Sequence, residues 1–316
     1  MINRTMVRTR VIQTLFAYYK DGDKTPLTAK KELLKSFSDT YDLYVLLLDF
    51  VNQLTMYAEE QIQQAEQRAK VTHQSYVANR RLVNNGLAQV VFNNHQIRNY
   101  VQNNQLSWDA GMSAVSAIYK QLQEMPWYQE YMAAPDCDYE ADKRLWRRIY
   151  EMMIDNDQLE SALEEMEVVL DRQNWTVDMD LVLSFVIKTI KRLDQETGAD
   201  QDILPMFTNE DELQFAKDLL RYAIEEKARY EALIDSHLRN WDAQRIAYMD
   251  RIILQTALAE IFHFPDIALQ VSLNEYIELS KEYSSDKSYT FINGVLTEIL
   301  RDERRQGTLT KALVVN

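Results

Sequence analysis

One cysteine, Cys137, is too few for an intramolecular disulfide or a thiolate metal cluster, and it reads as an ordinary free thiol of a reducing compartment. Six glycines and five prolines among 316 residues leave little material for tight turns, which excludes a sheet-rich fold and favours long helices. No glycine-rich phosphate loop and no nucleophile motif around serine or cysteine occurs, so catalysis finds no support and the chain reads as a non-enzyme. Long hydrophobic runs are missing too. The most apolar window, Tyr44 to Val51, is broken by Asp49 and is far too short to span a bilayer. The start, MINRTMVRTRVIQTLF, lacks the apolar core of a secretory signal, so a cytoplasmic location is expected. Net positive charge is absent as well: the formal charge is −14, which argues at first against a nucleic-acid partner.

What is present is ordinary for a soluble globular protein, with 46 % hydrophobic and 27 % charged residues. The length allows two domains or one large helical domain. Charge is unevenly spread. Arg4, Arg8, Arg10, Lys20, Lys24, Lys30, Lys31 and Lys35 face only Asp21, Asp23 and Glu32 in the first 35 residues, whereas Asp155 to Asp171 is a run of acid.

Residues Asn3 to Lys20 read as one helix capped by Asn3 and stopped by Asp21-Gly22-Asp23. Val11, Leu15 and Tyr19 share a side that Arg4 and Arg8 continue toward the N-terminus. Burying guanidinium groups unpaired would cost several kcal/mol. The first turns are therefore expected to project beyond the core edge, with both arginines open to an anion; the competing reading is that they snorkel or pair with the acidic middle of the chain. Pro26 to Ala69 is helical almost without break, with a restart expected at Ser38-Asp39. Further helices are expected over Leu87 to Val101, Ala110 to Glu124, Asp138 to Asn156, Gln158 to Arg172, Met179 to Asp194 and Asn209 to Leu238, with no fixed repeat. Trp108, Trp127, Trp146 and Trp175 read as packing anchors, because a base-stacking platform needs aromatics beside positive charge and their region is acidic.

The stretch from Asn240 to Leu300 has the clearest punctuation. Met249, Ile252, Ile253, Ala257 and Ile261 mark a helix with one buried stripe, interrupted only by Thr256 and Glu260. Pro265-Asp266 ends it. A second helix carries Leu273, Ile277 and Leu279; a third begins near Asp286 and carries Phe291, Ile292, Val295, Leu296, Ile299 and Leu300. Gly294 inside that last helix costs about 1 kcal/mol relative to alanine and points to close packing. Glu260 and His263 have Glu-x-x-His spacing, but a carboxylate-bridged metal bundle needs a second such motif. No metal or cofactor is expected, and His263 reads as a helix-end residue near the carbonyl terminus.

The strings RVIQTLF, YMDRIILQTALAEI and PDIALQVSLNEYIELSKEYSSDKSYTFINGVL together resemble the NusB family of transcription antitermination factors. Most specific is Asn274-Glu275, Glu278-Leu279, Lys281, Ser288 and Phe291-Ile292-Asn293-Gly294-Val295-Leu296. The resemblance implies an all-α fold: a NusB-like pair of small helix bundles with a large helical insertion between the second and third family helices. It places the NusB-like core at 1–37 and 207–308, a helical acidic insertion at 38–206, and a tail at 309–316.

It further implies binding of boxA-like single-stranded RNA, and pairing with the small-subunit ribosomal protein NusE inside the RNA polymerase antitermination complex. Support of processive ribosomal RNA transcription would follow. Position by position, Arg4 and Arg8 fall on arginines of the family's first helix and Phe16 on its aromatic, while His237 and Phe291 fall on aromatic positions near RNA. Arg10 adds a cation that relatives lack, and Lys287 stands where the family is often acidic. Tyr289, beside Phe291, supplies a further aromatic. Gln244, Tyr248 and Asp250 fall on the partner-binding side; the competing reading is an exposed helix start. The alternative to RNA binding is a helical protein–protein scaffold that kept the fold alone.

Overall fold

The computed structural model of the chain describes residues 1–135, 138–238, 247–284 and 288–309. Among them fourteen α-helices occur and no strand, so the all-α reading holds. In chain order they are α1 (Arg4–Lys20), α2 (Pro26–Thr72), α3 (Gly86–Asn93), α4 (His95–Asn103), α5 (Met112–Glu124), α6 (Pro126–Ala133), α7 (Tyr139–Met152), α8 (Asp157–Val169), α9 (Trp175–Arg192), α10 (Asp211–Glu225), α11 (Lys227–Ser236), α12 (Tyr248–His263), α13 (Leu269–Tyr283) and α14 (Ser288–Arg305). No described helix is long and apolar enough to cross a membrane.

Side-chain capping sets several boundaries. The Asn3 side chain accepts the Met6 N–H at 3.0 Å, and Asn85, Asp138 and Asn156 cap α3, α7 and α8 in the same way. Asn94 divides the expected Leu87 to Val101 helix. Its carboxamide oxygen caps α4 at the Ile97 N–H, while its Nδ2 donates to the carbonyls of Gly198 and Gln201. The expected Asn209 to Leu238 helix is likewise two, α10 and α11, parted at Glu226. The opposite happens at Ser38-Asp39, where no restart occurs. There Asp39 turns its side chain to the Gln173 N–H and its carbonyl to the Trp175 indole, and α2 runs on.

The chain divides into two compact units, one of Met1 and Ser36–Met206, the other of Ile2–Lys35 and Phe207–Asn316. Residues 36–206 hold 27 acidic against 14 basic side chains, a net −13; the rest of the chain holds 22 against 21, a net −1. In the acidic unit the α2 segment from Leu43 to Val51 is buried on nearly all sides, and α7 and α9 reach it where the Tyr150 hydroxyl donates to the Leu47 carbonyl and the Tyr44 hydroxyl meets the Thr189 hydroxyl. Trp108, Trp146 and Trp175 are buried, and their indoles donate to the Leu46 carbonyl, Asn85 Oδ1 and the Asp39 carbonyl. In the other unit α12 is the centre, packed against α1, α10, α11, α13 and α14. It is buried all round rather than along one stripe: Leu254, Leu258 and Ala259 are buried together with Ile252, Ile253 and Ile261.

Candidate nucleic-acid interface

Buried polar groups on α12 explain how the first helix is held. Glu260 has no exposed surface, and its carboxylate accepts from Arg8 Nε at 2.7 Å and Arg8 Nη2 at 2.9 Å. Ser272 Oγ and the Tyr276 hydroxyl also donate to it, at 2.7 and 2.9 Å. Arg8 Nη1 reaches Glu275 Oε2 at 3.0 Å, and the Thr5 hydroxyl donates to the same oxygen. Burial opposes the Arg8 charge, but hydrogen bonding and Coulomb attraction to Glu260 outweigh it and raise the guanidinium's pKa. Burial, with the neighbouring Glu260 charge, likewise pushes the Tyr276 phenol well up and keeps it a donor.

The expectation for Arg8 is thereby corrected. Only 2 % of it is exposed, and it joins α1 to α12 and α13 rather than projecting beyond the core. Arg10 is corrected too: it is 4 % exposed, with Nη1 donating to Gln13 Oε1. Of the three arginines Arg4 alone stays open, its side chain 42 % exposed, 3.5 Å from Glu212 and lying 5.2 Å from the centre of the Phe215 ring.

The aromatics divide in the same manner. Phe291 is buried and belongs to the core, whereas Tyr289 is exposed with Lys281 Nζ 5.8 Å from its ring centre. Phe16 is half-buried and meets exposed Tyr248 at a centroid distance of 5.8 Å. Lys20 Nζ lies 4.4 Å from the Phe16 ring centre. Sequence reasoning missed this lysine, although the Phe16–Lys20 spacing of four residues puts both on one helical face. His237 ends α11, with Nδ1 2.8 Å from the Leu233 carbonyl and Nε2 3.2 Å from Asp302. Lys287 and Gln244 lie outside the described residues.

α1 takes its main packing from α10 and α12, and α14 from α11, α12 and α13, so α12 is the helix common to both. Asp250 is not part of an exposed helix start. It is 4 % exposed and accepts from Ser284 Oγ at 2.5 Å and Ser288 Oγ at 3.0 Å, tying the end of α13 to the start of α14. His263 stacks on Tyr222 at 3.7 Å and lies 2.7 Å from Glu226. Among the described residues no acidic, histidine or cysteine cluster is arranged for a metal.

Part of the chain is similar to known proteins. The NusB family model matches residues 191–301. The chain is 34 % identical over 132 residues to the transcription antitermination protein NusB of Salinibacter ruber, covering 40 % of this chain and 82 % of that one. Its counterpart in Bacillus pumilus is 40 % identical over 92 residues, 29 % of this chain and 70 % of the relative. That of Bacillus velezensis is 43 % identical over 88 residues, 28 % and 68 % of the two chains. With its all-α fold and these relatives, the chain belongs to the NusB family.

Proposed function

We propose that this protein is an RNA-binding transcription antitermination factor that binds boxA-like RNA and pairs with NusE, and so acts in the cytoplasm on processive ribosomal RNA transcription. Residues 1–37 and 207–308 form its NusB-like core, 38–206 a helical insertion between the second and third family helices, and 309–316 a tail. No step of this role needs catalysis. The observation that carries the reading is the family membership, and two solvent-accessible aromatics beside cations, exposed Tyr289 and half-buried Phe16, support it. Tyr289 with Lys281, and Phe16 with Lys20, pair a ring with an ammonium group, as single-stranded RNA binding requires. Arg4 and Lys287 add charge for phosphate, and His237 stands at the end of α11. Tyr248 is the candidate for contact with NusE. Arg8, Arg10, Phe291 and Asp250 serve the core instead.

A second reading, a protein–protein scaffold without specific RNA binding, draws on the same geometry: two of the three arginines of α1 are buried. Titrating the full chain with boxA RNA and a scrambled control, with and without NusE, separates the two. Sequence-selective binding is expected, and Tyr289→Ala should weaken it about tenfold, since a stacked base contributes roughly 1–3 kcal/mol. Equal affinity for both RNAs under both conditions would move the assignment to the scaffold.

A further inference from the structure

The acidic unit contains one place where its chemistry reverses. α6 and α7 line a cavity of about 520 Å³, and Arg144, Arg147 and Arg148 all face it from α7, at the three- and four-residue spacing that puts side chains on one helical face. Two other arginines of the unit are held in shorter ion pairs: Arg80 to Glu59 at 2.5 Å and to Glu66 at 3.0 Å, Arg172 to Asp42 at 2.7 Å. At the cavity the ion pairs are longer, Arg144 3.8 Å from Asp138 and Arg147 3.9 Å from Glu151. Nε of Arg147 is buried with no hydrogen-bond partner, and Arg148 has no ion pair among the described residues.

Aromatic surface stands beside these cations. Trp127 is the one tryptophan of the four read as anchors that stays half-exposed, and the Arg148 guanidinium lies 5.7 Å from its ring centre. Tyr131 follows Trp127 by four residues on the same face of α6. Tyr131 donates its hydroxyl to Asp142 at 2.7 Å and accepts from Asn85, while Arg81 covers its ring. Glu130 and Glu151 at the rim can accept the amino hydrogens of a base. A planar group set against the indole with an anion among the guanidiniums satisfies this arrangement, whereas an acidic group without a ring would leave the indole unused.

We propose that this cavity binds a nucleotide, its base on Trp127 and its phosphate on Arg144, Arg147 and Arg148. The site does not rest on the boxA reading and is built from a different part of the chain. Two sources share the chemistry, a free mononucleotide and a 5′-phosphorylated end of single-stranded RNA.

Calorimetric titration of the full chain with AMP, adenosine, inorganic phosphate and a 5′-phosphorylated hexanucleotide RNA tests it. AMP should bind at least tenfold more tightly than adenosine or phosphate. Trp127→Ala and Arg148→Ala should each reduce AMP affinity at least fivefold; both are partly exposed, and unchanged thermal unfolding confirms that they fold. Trp127→Phe, which keeps a ring, should retain most of the affinity. A hexanucleotide that displaces AMP from the wild type but fails to bind Trp127→Ala identifies RNA as the source; AMP binding without such displacement identifies the free nucleotide. No AMP binding, or binding that survives both alanine substitutions, overturns the proposal. Binding of boxA RNA unaffected by Trp127→Ala leaves the boxA reading standing whichever way this result falls.

Discussion

The two units of this chain bury similar helices around different kinds of anchor. In Ile2–Lys35 with Phe207–Asn316, the centre is ionic: Glu260 on α12, closed by Arg8, Ser272 and Tyr276. In Ser36–Met206 it is aromatic, with three indoles whose N–H groups end on backbone carbonyls or an asparagine. The near-neutral unit therefore places a cation and an anion in its interior, while the strongly acidic one leaves most of its carboxylates outside. A buried pair is directional and depends on both partners, because either one alone is an uncompensated charge. An indole is large and neutral, and its loss is mainly a matter of volume and one hydrogen bond.

The largest effect should come from breaking the ionic anchor. Arg8→Ala leaves Glu260 buried without its cation and is expected to cost about 3–5 kcal/mol in urea denaturation. Hydrogen exchange should rise in α1, α12 and α13. The double variant Arg8→Met/Glu260→Leu removes both charges and should recover most of the loss; a double variant as unstable as the single one would show that packing, not charge, decides this site. Next in size is Trp175→Phe, which keeps a ring but forfeits the bond to the Asp39 carbonyl and some volume, for about 2 kcal/mol. Half-exposed Trp127→Phe should stay within about 0.5 kcal/mol. Equal losses at the two tryptophans would erase the distinction between anchor and cavity wall.

Much of the helical framework was legible, and for stated reasons. Asn3 and Asp21 bound α1 because capping is a local interaction, and Pro265 ends the reach of α12 because a proline cannot continue a helix. The breaks at Asn94 and Glu226, and the missing break at Ser38-Asp39, were not legible. At Asn94 and Asp39 the partners lie 104 and 136 residues away along the chain, at Gly198 and Trp175. The site shows the same division. Two polar interruptions stood in plain view, Arg8 on the apolar side of α1 and Glu260 on that of α12, and each demanded a partner. Only their juxtaposition shows that they answer one another, which takes Arg8 away from the surface. Trp127 was read with the charge of its whole region, whereas the three arginines that matter to it share one face of α7.

A further pair of variants contrasts two buried carboxylates. Asp49 on α2 is 9 % exposed and receives the side-chain amides of Asn52 and Gln53 at 2.8 and 2.9 Å, neutral donors rather than a cation. Burial raises its pKa, and the two amides only partly counter it. The folded state thus binds this proton more tightly than the unfolded chain. Asp49 favours folding most at low pH, and its contribution falls as pH rises from the unfolded carboxylate range through the raised value. Asp49→Asn removes that penalty, so the variant should gain stability relative to the wild type on the order of 1 kcal/mol at pH 7, and less at pH 5. Glu260→Gln should do the reverse at pH 7, because the charge it deletes is the one that balances Arg8. Urea denaturation of both variants against wild type at the two pH values reads the signs directly. A loss at Asp49 as well as at Glu260 would mean that both units need their buried carboxylates ionised, and the contrast between an ionic and an aromatic interior would fail there.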